Sequence, residues 1–205
     1  YGDAWTNQTA AGGEPGWSGR GGHSSVALPD GSIVLMGGAG GSGDDVWRSA
    51  DGGATWMEVN ASAGWPARYG HSSVALPDGS IVLAGGMGGN GNDTWRSTDN
   101  GATWTEVNAS AGWSGRGGHS SVALPDGSLV LMGGMDSDST PLNDTWRSTD
   151  GGATWTLVNA SAGWPARGGH SSVALPDGSI VLMGGQGDSD RLNDTWQSTD
   201  NGTTW

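Results

Sequence analysis

An all-β fold of repeated four-stranded antiparallel sheets is predicted by three observations. Eleven residues, Gly22–Ser32 (G-H-S-S-V-A-L-P-D-G-S), recur unchanged at Gly70–Ser80, Gly118–Ser128 and Gly169–Ser179. Their histidines, His23, His71, His119 and His170, step by 48, 48 and 51 residues, and two tryptophan series keep nearly the same step: Trp47, Trp95, Trp146, Trp196 and Trp56, Trp104, Trp155, Trp205. The apolar runs within each unit are short, and no segment carries a helical period of useful length. A period of about 40–50 residues built from short strands marks the blade of a β-propeller.

Each unit reads as four strands. G-H-S-S-V-A-L is the first, ended by Pro-Asp-Gly, whose proline and glycine suit a tight turn. S-I-V-L-M is the second, ended by Gly-Gly; it is apolar on both faces, as in a sheet covered on both sides. N-D-T-W-R-S is the third and A-T-W-T-E-V the fourth, with Asp-Gly or Asn-Gly between them as a hairpin signal. The units divide as 17–64, 65–112, 113–163 and 164–205, the last truncated in its fourth strand. Residues 1–16 read as a partial blade, with a third strand at Tyr1–Thr6 and a degenerate fourth over Asn7–Gly16. About four and a half blades invite three expectations: a piece of a larger ring, pairing with another copy, or closure alone as four blades.

The order R-x-G-H, apolar strand, Gly-Gly and two spaced tryptophans resembles a kelch repeat. The hairpin S-x-D-x-G-x-T-W, complete at Ser49–Trp56, Ser97–Trp104, Ser148–Trp155 and Ser198–Trp205, is similar to the Asp box of BNR-like repeats. The resemblance covers residues 17–205 and implies a propeller; both motifs occur in propellers of unrelated function, so they imply no activity. In Asp-box families the aspartate (here Asp51, Asp99, Asp150, Asp200) is structural and lies away from the active site.

Composition narrows the function. Glycine makes up 41 of 205 residues, at fixed turn positions in each copy. Thirteen tryptophans supply core, because each can bury ~150–250 Å²; the eight hairpin tryptophans are read as structural. Net charge is −13 and the only basic residues apart from histidine are eight arginines, which argues against nucleic acid or an anionic membrane as partner. No apolar run is long enough to cross a membrane as a helix. Without cysteine there is no disulfide or thiolate metal site. Eight N-x-S/T sequons, at Asn7, Asn60, Asn92, Asn108, Asn143, Asn159, Asn193 and Asn201, suggest an exported or cell-surface glycoprotein.

In an up-and-down blade, turns one-to-two and three-to-four share a face, and loops two-to-three share the other with the interblade connections. The second face carries everything variable: 39–44, 87–91, 135–142 and 186–192. It also carries Arg20, Arg68, Arg116 and Arg167, the candidate ligand-binding residues. Kelch-like propellers imply that such arginines can line the channel mouth and grip acidic groups; the alternative reading pairs each with an aspartate of its own or the next blade. The histidines are read as hydrogen-bonding residues of the inner strand. Asp136, Asp138, Asp188 and Asp190 are candidate calcium ligands, with solvated acidic loops as the alternative; no other cofactor is expected.

A sialidase-like mechanism would need an arginine cluster with a tyrosine nucleophile and an acidic partner, but the only tyrosines are Tyr1 and Tyr69. A galactose-oxidase-like copper site would need a cysteine-linked tyrosine. Near-identical units offer rings of equal groups rather than an asymmetric site. The expectation is a non-catalytic module binding a protein or glycan through the second face. Two alternatives stand beside it: a structural repeat building a surface layer, stalk or filament by self-association through open blade edges, and the scaffold of an enzyme whose catalytic residues lie elsewhere.

Overall fold

The protein is a four-bladed β-propeller, described by a computed structural model for Asn7 and residues 16–205. The half-blade expected at residues 1–16 lies, apart from Asn7 and Gly16, outside the described residues. The first blade is β1 (Ser24–Ala27), β2 (Ile33–Met36), β3 (Val46–Ser49) and β4 (Met57–Asn60), antiparallel in that order. The second repeats it as β5 (Ser72–Ala75), β6 (Ile81–Ala84), β7 (Thr94–Ser97) and β8 (Thr105–Asn108). The third adds a short β9 (Arg116–Gly117) to β10 (Ser120–Ala123), β11 (Leu129–Asp136), β12 (Pro141–Ser148) and β13 (Thr156–Asn159). The fourth has β14 (Ser171–Ala174), β15 (Ile180–Met183) and β16 (Thr195–Ser198).

Strands β1, β5, β10 and β14 are innermost and pack successively around the axis. Alternation along each strand sends its two sets of side chains to opposite neighbours. Val26, Leu28, Val34, Met36 and Val46 of the first blade press on Ile81, Leu83 and Trp65 of the second. Val122, Leu124, Val130 and Met132 of the third do the same to Ile180, Leu182 and Trp164 of the fourth. Each fully buried aliphatic side chain contributes about 1.5–3 kcal/mol, so a blade is stable only with its neighbour in place. Backbone bonds stitch the hub: Gly70, Gly118 and Gly169 each donate an N–H to the matching glycine one blade earlier, at 2.7 Å.

Three local features differ from expectation. The fourth strands begin after the tryptophan, at Met57, Thr105 and Thr156, because Ala-Thr-Trp belongs to the preceding loop. That loop is wider than a two-residue turn. Asp51 holds it open, accepting from Thr55 N–H and hydroxyl at 2.9 and 2.6 Å, while Gly53 N–H reaches Ser49 Oγ at 2.8 Å. These bonds pull the Asp51 carboxyl down to about 2. At its bend Gly52, Asn100, Gly151 and Asn201 have φ of 59–70°, the left-handed region that glycine and asparagine enter most easily. Finally, β11 does not stop at Gly133-Gly134 but passes them with a register shift and runs on to Asp136, where β9 pairs with it.

The tryptophans differ in depth. The hairpin rings are half-buried, and the deepest are Trp65, Trp113 and Trp164 of the interblade connections. Trp113 meets Trp155 edge-on at 4.7 Å and Trp146 at 6.1 Å, the preferred aromatic geometry.

Candidate binding face

Up-and-down pairing places the loops after β2, β6, β11 and β15 on one face with the interblade connections. The Pro-Asp-Gly turns and the S-x-D-x-G-x-T-W hairpins occupy the other, where residues 77–78 and 125–127 line a common concavity with 149–151. The four arginines proposed as ligands do lie on the loop side, but they face inward. Each guanidinium forks onto an aspartate of its own blade: Arg20–Asp45, Arg68–Asp93, Arg116–Asp144 and Arg167–Asp194, at 2.6–2.8 Å. Nη1 also donates to the carbonyl of Gly37, Gly85, Gly133 or Gly184, and the third-strand tryptophan donates Nε1–H to the same aspartate. The arginine side chains are 0–1% exposed. A ligand therefore meets no free guanidinium in this series, and the intrablade alternative is the one realised. Burial raises the Asp93 pKa, but the bonds from Arg68 and Trp95 outweigh it and hold the carboxyl below its ordinary range.

The histidines are interblade keys. His119 donates Nε2–H to the Ala84 carbonyl at 3.1 Å, and Gly85 leaves room for the ring, since a Cβ there would stand 2.8 Å from it. His170 Nε2 pairs with Ser120 Oγ at 2.8 Å, and His71 faces the Met36 carbonyl without closing a hydrogen bond. Burial first, then the nearby arginine, lowers His71 and His119 to about 3 and His170 to about 4. His23, with no described blade before it, is exposed.

The sequons divide by what their amide nitrogens do. Asn60, Asn108 and Asn159 donate Nδ2–H across to the next hairpin, at Ala102, Ala153 and Thr203, at 2.7–2.9 Å. Asn92 and Asn143 bond the serine and tryptophan of their own connection. Asn201 occupies the left-handed bend, whereas Asn7 and Asn193 are exposed. A glycan replaces one amide hydrogen, so Asn193 can carry one without giving up any of these bonds. Asn108→Ala should lower stability by about 1–2 kcal/mol through loss of its bonds to Ala153 and Ser110, read as a shift in urea midpoint.

The acidic loops do not assemble a cation site: among the described residues no group of three or more His, Asp or Glu is placed to hold a metal ion. Asp136 closes its own turn, accepting from Asp138 and Thr140 N–H at 2.9 and 2.8 Å. Asp188 and Asp190 instead line, together with Thr140, Pro141, Pro165 and Ala166, a groove of about 430 Å³ between the third and fourth blades.

In the same loop stands a residue that sequence reasoning passed over. Arg191 is exposed and, among the described residues, is the one arginine with no carboxylate partner. Arg48, Arg96 and Arg147 are held by the turn aspartates Asp30, Asp78 and Asp126 at 2.7–2.9 Å. The signal was available: Arg191 is the only arginine without a counterpart in the other units. A second concavity was also unforeseen. Ala-Leu-Pro at the end of each inner strand (Ala27–Pro29 and its three equivalents) rings an apolar mouth of about 480 Å³ on the turn face. Comparison with protein-family models and with curated proteins finds no match.

Proposed function

We propose that this protein is a non-catalytic, kelch-type propeller module with Asp-box hairpins, exported or displayed at the cell surface, and that it binds a protein or glycan through its loop-bearing face. The observation that carries this reading is Arg191, the one arginine without a carboxylate partner among the described residues. It stands in the chain between Asp190 and Leu192, two lining residues of a groove whose loop sequences at 140–141 and 187–192 do not occur in the first two units. Every other arginine is engaged by an aspartate in a contact that recurs between blades. The exposed Arg191 carries forked N–H donors suited to a carboxylate, while in the groove Asp188 and Asp190 can accept from hydroxyl or amide groups and Pro141 and Pro165 offer flat apolar contact. A ligand rich in hydroxyl and acidic groups fits that set.

The non-catalytic reading is supported by where the perturbed groups are. The histidines and hairpin aspartates with shifted pKa values belong to structural contacts repeated from blade to blade, not to the groove. Export is supported by the exposed sequons at Asn7 and Asn193. The test is a glycan array and a panel of cell-surface ectodomains probed with the protein and with Asp190→Ala/Arg191→Ala. Ligands retained by the parent should lose ~10-fold or more in affinity, as expected for a charge-assisted contact. Arg48→Ala on the opposite face should bind unchanged. Equal binding by the double variant would reject the groove.

A further inference from the structure

Among the described residues the four blades make three interfaces, and none of those residues covers the two halves of a fourth. On the last blade, the face that in the third blade covers its neighbour is Val173, Leu175, Val181, Met183 and Thr195. These are residue for residue the same types as Val122, Leu124, Val130, Met132 and Thr145. The third-blade set is buried, and Thr145 Oγ1 donates to Gly202 O at 2.8 Å. In the last blade Val173 is 44% and Leu175 37% exposed, and Thr195 is exposed.

The first blade shows the other half. His23, Ser25 and Ala27 are exposed, although their equivalents His170, Ser172 and Ala174 are buried or partly buried against the third blade. The hairpin tells the same story. Gly101, Gly152 and Gly202 are packed by Val46, Thr94 and Thr145 of the preceding blade, whereas a Cβ at Gly53 would meet open space. Gly184, which matches the glycines that seat a histidine, has none beside it. Among the described residues nothing donates to the Gly169 carbonyl, and the Gly22 N–H has no acceptor.

We infer that a second copy of this chain docks its first blade on the open face of the last blade, head to tail. The occupant is identified by identity of surface. Ala27, Ile33, Trp47, Gly53 and His23 are the same types as Ala174, Ile180, Trp196, Gly202 and His170, so the contact repeats the one between the third and fourth blades. His23 then enters the seat at Gly184, Gly22 donates to the Gly169 carbonyl, and Thr195 donates to the Gly53 carbonyl. Because the contact joins two different surfaces, association is heterologous: it ends when copies close a ring and otherwise continues as a filament. The inference is independent of the loop-face reading, since neither Arg191 nor the groove takes part.

Sedimentation velocity and light scattering across the micromolar range test it. The parent should show at least twice the chain mass, falling to one chain on dilution. Val173→Asp and Ala27→Asp alter exposed positions on the last and the first blade, and each should sediment as a single chain with the parent's tryptophan spectrum. An equimolar mixture of the two keeps one good head and one good tail, so it should form a heterodimer that grows no further. A parent that stays a single chain throughout, variants that retain the parent's mass, or a mixture that fails to pair would each overturn the proposal.

Discussion

Arg68→Ala is expected to cost about 3–5 kcal/mol, a large share of the ~5–15 kcal/mol that holds an ordinary domain folded. Asp93 would remain buried with its charge uncompensated, and the carbonyls of Gly85 and Pro66 would lose their donors as well. Arg48→Ala removes a pair that is 26% and 48% exposed, and should cost no more than ~1 kcal/mol. Arg191→Ala should stay within about 0.5 kcal/mol. Replacing both charges, Arg68→Met with Asp93→Leu, should recover much of the loss, because the dominant cost is the stranded carboxylate rather than the missing attraction. Urea midpoints followed by tryptophan fluorescence rank the four variants.

Acid should weaken the protein well before its carboxylates titrate. His71, His119 and His170 have folded pKa values of about 3, 3 and 4, against 6.5 when unfolded. Above pH 6.5 both states are neutral and stability is complete. As pH falls below that value the unfolded chain takes up protons that the folded chain refuses, so stability declines until the folded pKa is reached. At about pH 4.5 each histidine accounts for a loss on the order of 2–3 kcal/mol. The structural reason is plain for His119: its Nε2–H is committed to Ala84, its Nδ1 is buried with no acceptor, and Arg116 is nearby. A second decline follows below pH 3.8, where the unfolded chain's hairpin and turn aspartates take up protons that their folded counterparts, held at lowered pKa values, refuse. His119→Gln, which can still donate to Ala84, should make the slope between pH 6.5 and 4 shallower by one proton in thermal melts. An unchanged slope would contradict the assignment.

The architecture was legible because a period of about 48 residues with short apolar runs leaves few alternatives, and up-and-down pairing dictates which loops share a face. Long-range pairing was harder. Arg68 meets Asp93 across 25 residues and Arg116 meets Asp144 across 28, distances over which no local pattern operates. Yet both partners recur in every unit, which suits a contact closed within the blade better than a ligand grip. Depth among the tryptophans was invisible for a similar reason: Trp65, Trp113 and Trp164 lie in connections that look like loop sequence, and only the wedge between blades buries them. The hairpin was misjudged because Asp-Gly normally means a two-residue turn, whereas the Asp51 carboxylate and Ser49 hydroxyl brace a wider one.

The intrablade placement of the arginine–aspartate fork bears on how such a chain can change its length. Its charges are neutralised inside one unit, so joining any two units asks for apolar side chains, a histidine, an asparagine and a few backbone bonds, none of them an ion pair. Excising 65–112 would bring Trp113 and His119 to the partners now held by Trp65 and His71 and strand no charge. Genetic gain or loss of a whole unit is thereby close to neutral for folding, which leaves divergence to accumulate in the loops after the second strands.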